Sequence, residues 1–179
     1  MNRSVVFMGV AGCGKSSLAA AVALAQGVPL VEGDDFHSAA NRAKMSQGIA
    51  LNDEDRDGWL NILGEQLQAA PQGIALTCSA LKRQYRDRLR KASPGLLFVF
   101  LSLSREAAQS RVAARASHFF SANLVESQFA VLESPVGEPN VLQVDATASL
   151  AQLQSQVSAW LELGAHVGCS GTAHASIRQ

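Results

Sequence analysis

Five short apolar runs punctuate the chain: SVVFMG at 4–9, PLVEGD at 29–34, GIALTCS at 73–79, LLFVFLS at 96–102 and VLQVD at 141–145. Each has the length of a strand, and the segments between them follow a helical rather than an alternating period. Apolar strands that alternate with helices predict an α/β fold in which a five-stranded parallel sheet is flanked by helices. The first helical segment, KSSLAAAVALAQ, follows the first run almost directly. Further on, Trp59, Leu60, Leu63 and Leu67 fall on one helical face, and in the last helix Leu150, Leu153, Val157 and Leu161 do the same. Both stripes read as core.

Two stretches break this rhythm. From about Arg115 to Ser134 the chain follows a helix but has no strand of its own, and SHFFSANLVESQFAVLESP mixes aromatic with polar residues. It reads as a mobile excursion over the sheet. From Gly164 onward, GAHVGCSGTAHASIRQ has little apolar period and much Gly, Ser and Ala, which predicts one domain over 1–163 and a disordered C-terminal tail over 164–179.

The bulk numbers narrow the chemistry. A length of 179 residues suits one domain with a real core. Fifteen basic residues balance fifteen acidic ones, so no global field exists to hold a nucleic-acid backbone or an anionic membrane, and any anion binding must be local. No apolar run approaches the roughly 18 residues of a membrane span, and the N-terminus lacks the features of a secretion signal. A cytoplasmic protein is expected. Cys13, Cys78 and Cys169 are odd in number, far apart and without C-x-x-C spacing, so they read as reduced thiols rather than a disulfide framework or a zinc site.

The local anion site is GVAGCGKSS, residues 9–17, which matches G-x-x-x-x-G-K-[ST] at Gly9, Gly14, Lys15 and Ser16 between a strand and a helix. Gly9, Gly12 and Gly14 let backbone N–H groups turn inward toward phosphate oxygens, with Val10, Ala11, Cys13 and Ser17 completing the loop, and the helix beginning near Lys15 adds its positive end. Lys15 is expected to reach the β and γ phosphates and the Ser16 hydroxyl to ligate Mg²⁺. The expected ligand is a nucleoside triphosphate. A GTPase switch is disfavoured because the one D-x-x-G, Asp55 to Gly58, lies in a polar segment and N-K-x-D is absent. A motor or helicase ATPase is disfavoured because IALTCS ends in Cys78 and Ser79 rather than an acid. The metal-facing carboxylate is sought instead in VEGDDFH, where Asp34 and Asp35 follow the second run at the carboxyl edge of the sheet. Asp34 is expected to orient an acceptor hydroxyl, take its proton and help hold Mg²⁺ through water. The other reading, a solvated acid capping the next helix, is the stronger one for Asp35.

Taken in order, GVAGCGKSS, GDDFHSAANRAKMSQGIALNDEDRDGWL, CSALKRQYRDRLR and HFFSANLVESQFAVLESP resemble the gluconokinase family over roughly residues 4–162. The resemblance implies ATP-dependent phosphorylation of the 6-hydroxyl of D-gluconate, a P-loop fold of nucleoside-monophosphate-kinase type with a closing lid at about 115–134, and commonly a homodimer. With that substrate in view, His37, three residues beyond Asp34, is expected to face the acceptor. Arg56 admits two readings, a surface ion pair with Asp53 or Glu54 and a bidentate clamp on the sugar-acid carboxylate. Ser79, Lys82 and Arg83, at the carboxyl end of the third strand, are expected to touch substrate. Arg88, Arg90 and Lys91 belong instead to a solvated helix face opposite Leu81, Tyr85 and Leu89.

Arg111 and Arg115 lie four apart on the helix leading into the lid. Arg115 is expected to neutralise charge on the transferred group when the lid closes, and Arg111 to contact the nucleotide. His118 and Gln128 are further lid candidates. Three positions depart from the family's pattern: Ser38 and Gly58 stand where it has Pro, and Ser117 where it has Gly. These touch helix starts and a hinge and bear on rates rather than reaction type. The alternatives are a shikimate-like or nucleoside-monophosphate kinase, and a non-catalytic ATP-binding regulatory protein.

Overall fold

Val5, Val6, Phe7 and Met8 are all fully buried, which is why the first run shows no alternation: this strand has protein on both faces. The computed structural model describes residues 3–114 and 122–167. In it, β1 (Val5–Met8) pairs in parallel with β3 (Ala75–Thr77) on one side and β4 (Leu97–Ser102) on the other. The edges are β2 (Leu30–Glu32) and β5 (Val141–Asp145), giving the order β2-β3-β1-β4-β5 with every pair parallel. The five strands fall within the five apolar runs.

Seven helices connect and cover these strands among the described residues: α1 (Lys15–Gln26), α2 (Ala39–Ser46), α3 (Asp53–Gln68), α4 (Arg83–Ala92), α5 (Arg105–Ala113), α6 (Ala122–Val131) and α7 (Leu150–Val167). Successive side chains of β1 enter opposite layers. Val5 and Phe7 pack with Leu18, Val22, Ala108 and Val157 beneath α1, α5 and α7. Val6 and Met8 pack with Leu60, Leu63 and Leu89 beneath α3 and α4. Trp59, Leu60, Leu63 and Leu67 are all buried as their spacing predicts, whereas in α7 only Leu153, Val157 and Leu161 are, and Leu150 in the first turn is 48% exposed. The helix begins at Leu150, and its first turn leaves that side chain outside the core. α7 continues past residue 163 to Val167, and residues 168–179 of the expected tail lie outside the described residues.

Capping explains two starts. Ser38 accepts a hydrogen bond from the Asn41 amide at 3.1 Å, so the position where the family pattern has Pro is here a side-chain cap. Asn52 and Asp55 form a reciprocal capping box at the start of α3. Gly58, inside α3, has nothing within 4 Å of where a Cβ would lie.

The basic stretch of α4 is not wholly the solvated face expected. Arg86 is completely buried: its Nη1 donates to the carbonyls of Ala80 and Leu81 at 2.9 Å, and its Nε and Nη2 meet the carboxylate of Glu138. Arg90 also donates to Glu138, at 2.7 Å. The charge is tolerated because its donors are satisfied. The cluster ties the loop after β3 to the segment that returns from α6.

Candidate active site

The phosphate loop leaves the carboxyl end of β1. Gly9, Gly12 and Gly14 all have positive φ, at 139°, 81° and 98°, a backbone that side chains with a Cβ rarely adopt. The Lys15 ammonium donates to the carbonyls of Gly9 (3.2 Å) and Val10 (3.1 Å), so the cation lies over its own loop. Ala11, Gly12, Gly14, Ser16 and Ser17 line an open cleft with Lys15. Val10 and Cys13 are buried beneath the loop and do not line this cleft. The Ala11 amide donates to Gln128 Oε1 at 2.6 Å, so α6, which forms part of the expected lid, touches the loop directly.

Opposite the loop, β2 ends in two carboxylates with different surroundings. Glu32 Oε2 accepts from Ser16 Oγ at 3.0 Å and from Thr77 Oγ1 at 2.6 Å. It therefore sits beside the hydroxyl expected to face the cation, a place expected of Asp34. Hydroxyl and carboxylate oxygens suit a hard divalent ion. Among the described residues no three His, Cys, Asp or Glu side chains converge as a metal cage, so the remaining coordination would come from phosphate and water.

Asp34 lies in the single 3-10 turn Gly33–Phe36, its side chain 72% exposed at the cleft. Gly33 makes that turn possible by close approach: a Cβ there would lie 2.1 Å from the Thr77 carbonyl oxygen. His37, by contrast, is 5% exposed and stacks on Trp59 with ring centroids 4.3 Å apart and planes 17° from parallel. Its Nε2 is 3.9 Å from Asp34 Oδ1, and its buried Nδ1 has no hydrogen-bond partner among the described residues. Burial pushes the His37 pKa below 6.5; the Asp34 charge opposes the shift, and Arg56 and Arg42 add to it.

Arg56 lines the same cleft. The surface ion pair with Asp53 or Glu54 does not form. Its guanidinium donates to the carbonyls of Leu51 and Asn52 and lies 5.8 Å from the Tyr85 ring centroid. The Asp53 carboxylate is taken instead by Lys82 (2.6 Å), Gln84 (3.0 Å) and Tyr85, chiefly the Lys82 and Tyr85 bonds holding its pKa down to about 2. Ser79 lines the cleft, but Lys82 is bound to Asp53, and Arg83 is 68% exposed and faces Asp87. Neither borders the cleft: Asp53 of α3 draws the Lys82 ammonium away, and Arg83, in the first turn of α4, points to solvent. Arg111 donates to the Ala146 carbonyl at 2.9 Å. Arg115 and His118 lie outside the described residues, as does Ser117.

A phosphate loop after β1 and an exposed carboxylate after β2, at the carboxyl ends of two strands that flank β3 in a 2-3-1-4-5 parallel sheet, with a helical segment reaching over the loop, define a P-loop kinase of nucleoside-monophosphate-kinase type. The family described as an AAA domain matches residues 5–139. A thermosensitive gluconokinase of Escherichia coli is 40% identical over 159 residues, covering 87% of this chain and 85% of that protein. A probable gluconokinase of Schizosaccharomyces pombe is 46% identical over 142 residues, 74% of each. The crystal structure of a gluconokinase from Sinorhizobium meliloti superposes with a TM-score of 0.87 at 40% identity, covering 96% of this chain and 98% of that one. The chain belongs to the gluconokinase family.

Proposed function

We propose that this protein is a gluconokinase, transferring the γ-phosphate of ATP to the 6-hydroxyl of D-gluconate to give 6-phospho-D-gluconate. The observation that carries the reading is the single cleft in which the phosphate loop meets Asp34, His37 and Arg56, in a chain whose relatives are gluconokinases. Gluconate presents a carboxylate at one end and the reacting hydroxyl at the other. A selective site needs a fixed cation for the first and an oriented proton acceptor for the second. Arg56 fits the first role, since its guanidinium is held by two backbone carbonyls and keeps its charge free of any carboxylate among the described residues. Asp34 fits the second, because its oxygens are solvated and not bonded to a cation.

Loop amides and Lys15 hold the phosphates, Lys15 exchanging its two carbonyl partners for phosphate oxygens. Mg²⁺ is the expected divalent ion: Ser16 would ligate it directly and Glu32 through water. Held by these residues, the ion would supply positive charge against the phosphates during transfer. From the family resemblance, Arg115 would neutralise charge on the transferred group when the lid closes and excludes water, with Arg111 on the nucleotide and His118 on the substrate. Lys82 serves substrate only if its ammonium leaves Asp53, and Arg83 only if it turns from Asp87. A homodimer and a cytoplasmic location belong to the same reading and rest on the family resemblance and on the composition.

The test is phosphate transfer from Mg·ATP to a panel of D-gluconate, other aldonic acids, shikimate and nucleoside monophosphates. Turnover of gluconate above the rest supports the reading. Turnover of another acceptor overturns the substrate, and ATP binding without transfer to any of them overturns the enzyme.

A further inference from the structure

Trp59 belongs by spacing to the apolar stripe of α3, and Leu60, Leu63 and Leu67 in that stripe do nothing but pack. The indole does more. Its Nε1–H donates to the carbonyl of Gly33 at 2.7 Å in a buried position, and Gly33 immediately precedes Asp34. The amide of Gly33 donates in turn to Thr77 Oγ1 at 3.1 Å, so this residue is held by β3 through its N–H and by α3 through its C=O. At the other end of the turn the His37 ring stacks on the same indole. One side chain therefore touches both ends of the segment that presents Asp34. Asp34 itself makes no side-chain hydrogen bond among the described residues, the His37 ring lying 3.9 Å away. With nothing there to hold its carboxylate, the region it can reach is set by its backbone.

We infer that Trp59 is a positioning residue for phosphoryl transfer, fixing the Gly33–His37 turn so that Asp34 meets the acceptor hydroxyl in line with the transferred phosphate. The inference rests on the kinase reading above. A ring of similar size without the N–H would fill the same core space, so the hydrogen bond is the part that packing does not require. Displacement of a reacting group by about 1 Å can cost on the order of 100-fold in rate, which gives a lost anchor room to act.

Two measurements test this, using Mg·ATP and D-gluconate with the full chain. In Trp59→Phe, kcat is expected to fall tenfold or more while KM for ATP stays within twofold and the protein remains folded. In Trp160→Phe, Trp59 is the sole tryptophan, since the chain has two, and its emission is expected to change saturably as gluconate is added. A smaller fall in kcat, a parallel loss of ATP affinity, or emission indifferent to gluconate overturns the positioning role. Because Trp59 lines the cleft, its emission reports proximity alone; should Trp59→Phe fail to fold, replacement of Trp59 by benzothienylalanine, which keeps the bicyclic ring and lacks the N–H, is held to the same criteria for kcat and KM. Absence of gluconate turnover by the wild-type chain overturns the kinase reading instead, and the inference with it.

Discussion

Glu32 ends β2 and Asp34 stands two residues on, in the turn that follows, yet their surroundings separate their work. Glu32 accepts two hydroxyl hydrogen bonds and Asp34 accepts none among the described residues. Asp34→Asn keeps the shape but removes the proton acceptor, so turnover should fall by about 100-fold or more while ATP binding, measured by calorimetry, is nearly unchanged. Glu32→Gln should leave ATP bound but raise the Mg²⁺ concentration for half-maximal turnover, by roughly tenfold, as loss of an orienting group does at other metal sites. Arg56→Lys keeps a charge and loses the planar fork, so KM for gluconate should rise about tenfold or more with KM for ATP unaffected. That the phosphate loop and Asp34 share a cleft was legible from a short motif and a strand end, whereas His37 and Arg56 were placed there only through the family resemblance. Glu32 was not legible, because its place depends on Ser16 and Thr77, 16 and 45 residues away. Lys82 was misjudged for the same kind of reason: the strand end was read correctly, but Asp53, 29 residues earlier, takes the ammonium.

At the scale of elements, periodicity carried most of the information. Strands and the buried faces of α1 and α3 follow directly from apolar spacing. What periodicity cannot express is a charge that belongs inside. Arg86 occupies the polar half of the α4 pattern and is buried because Glu138, 52 residues on, arrives to meet it. Removing one partner of such a pair leaves the other uncompensated, so Arg86→Met should cost about 3–5 kcal/mol in urea unfolding. Arg86→Met combined with Glu138→Leu should recover much of that loss. The Ser38 cap is a smaller device on an exposed helix start, and Ser38→Ala should cost about 1 kcal/mol. The same cap shows why a departure from the family's proline need not disturb α2: the orphan amide of Asn41 is satisfied by the hydroxyl instead.

For the whole molecule, the buried titrating groups set a pH profile. His37 has a folded pKa below 6.5, so the unfolded chain binds the proton first, and stability falls as pH drops from about 6.5 through the folded value. Burial acts to raise the Glu138 pKa, but hydrogen bonds and charges from Arg86 and Arg90 outweigh it and hold it below 4.5. Its contribution is therefore present above 4.5 and lost as pH falls through the lowered value. Thermal melts across pH should show a plateau above neutrality, a first decline beginning near 6.5 and a second below 4.5, and His37→Gln should remove the first alone. The order of strands has a further consequence, for synthesis. β1 is translated first but lies at the centre of the sheet, and its partners β3 and β4 begin only at Ala75 and Leu97. At about 5–20 residues per second the sticky tetrapeptide Val5–Met8 waits roughly 3–13 seconds beyond its own synthesis for a first neighbour. A nascent chain of this architecture thus exposes a strand destined for complete burial until the first strand that pairs with it has been made.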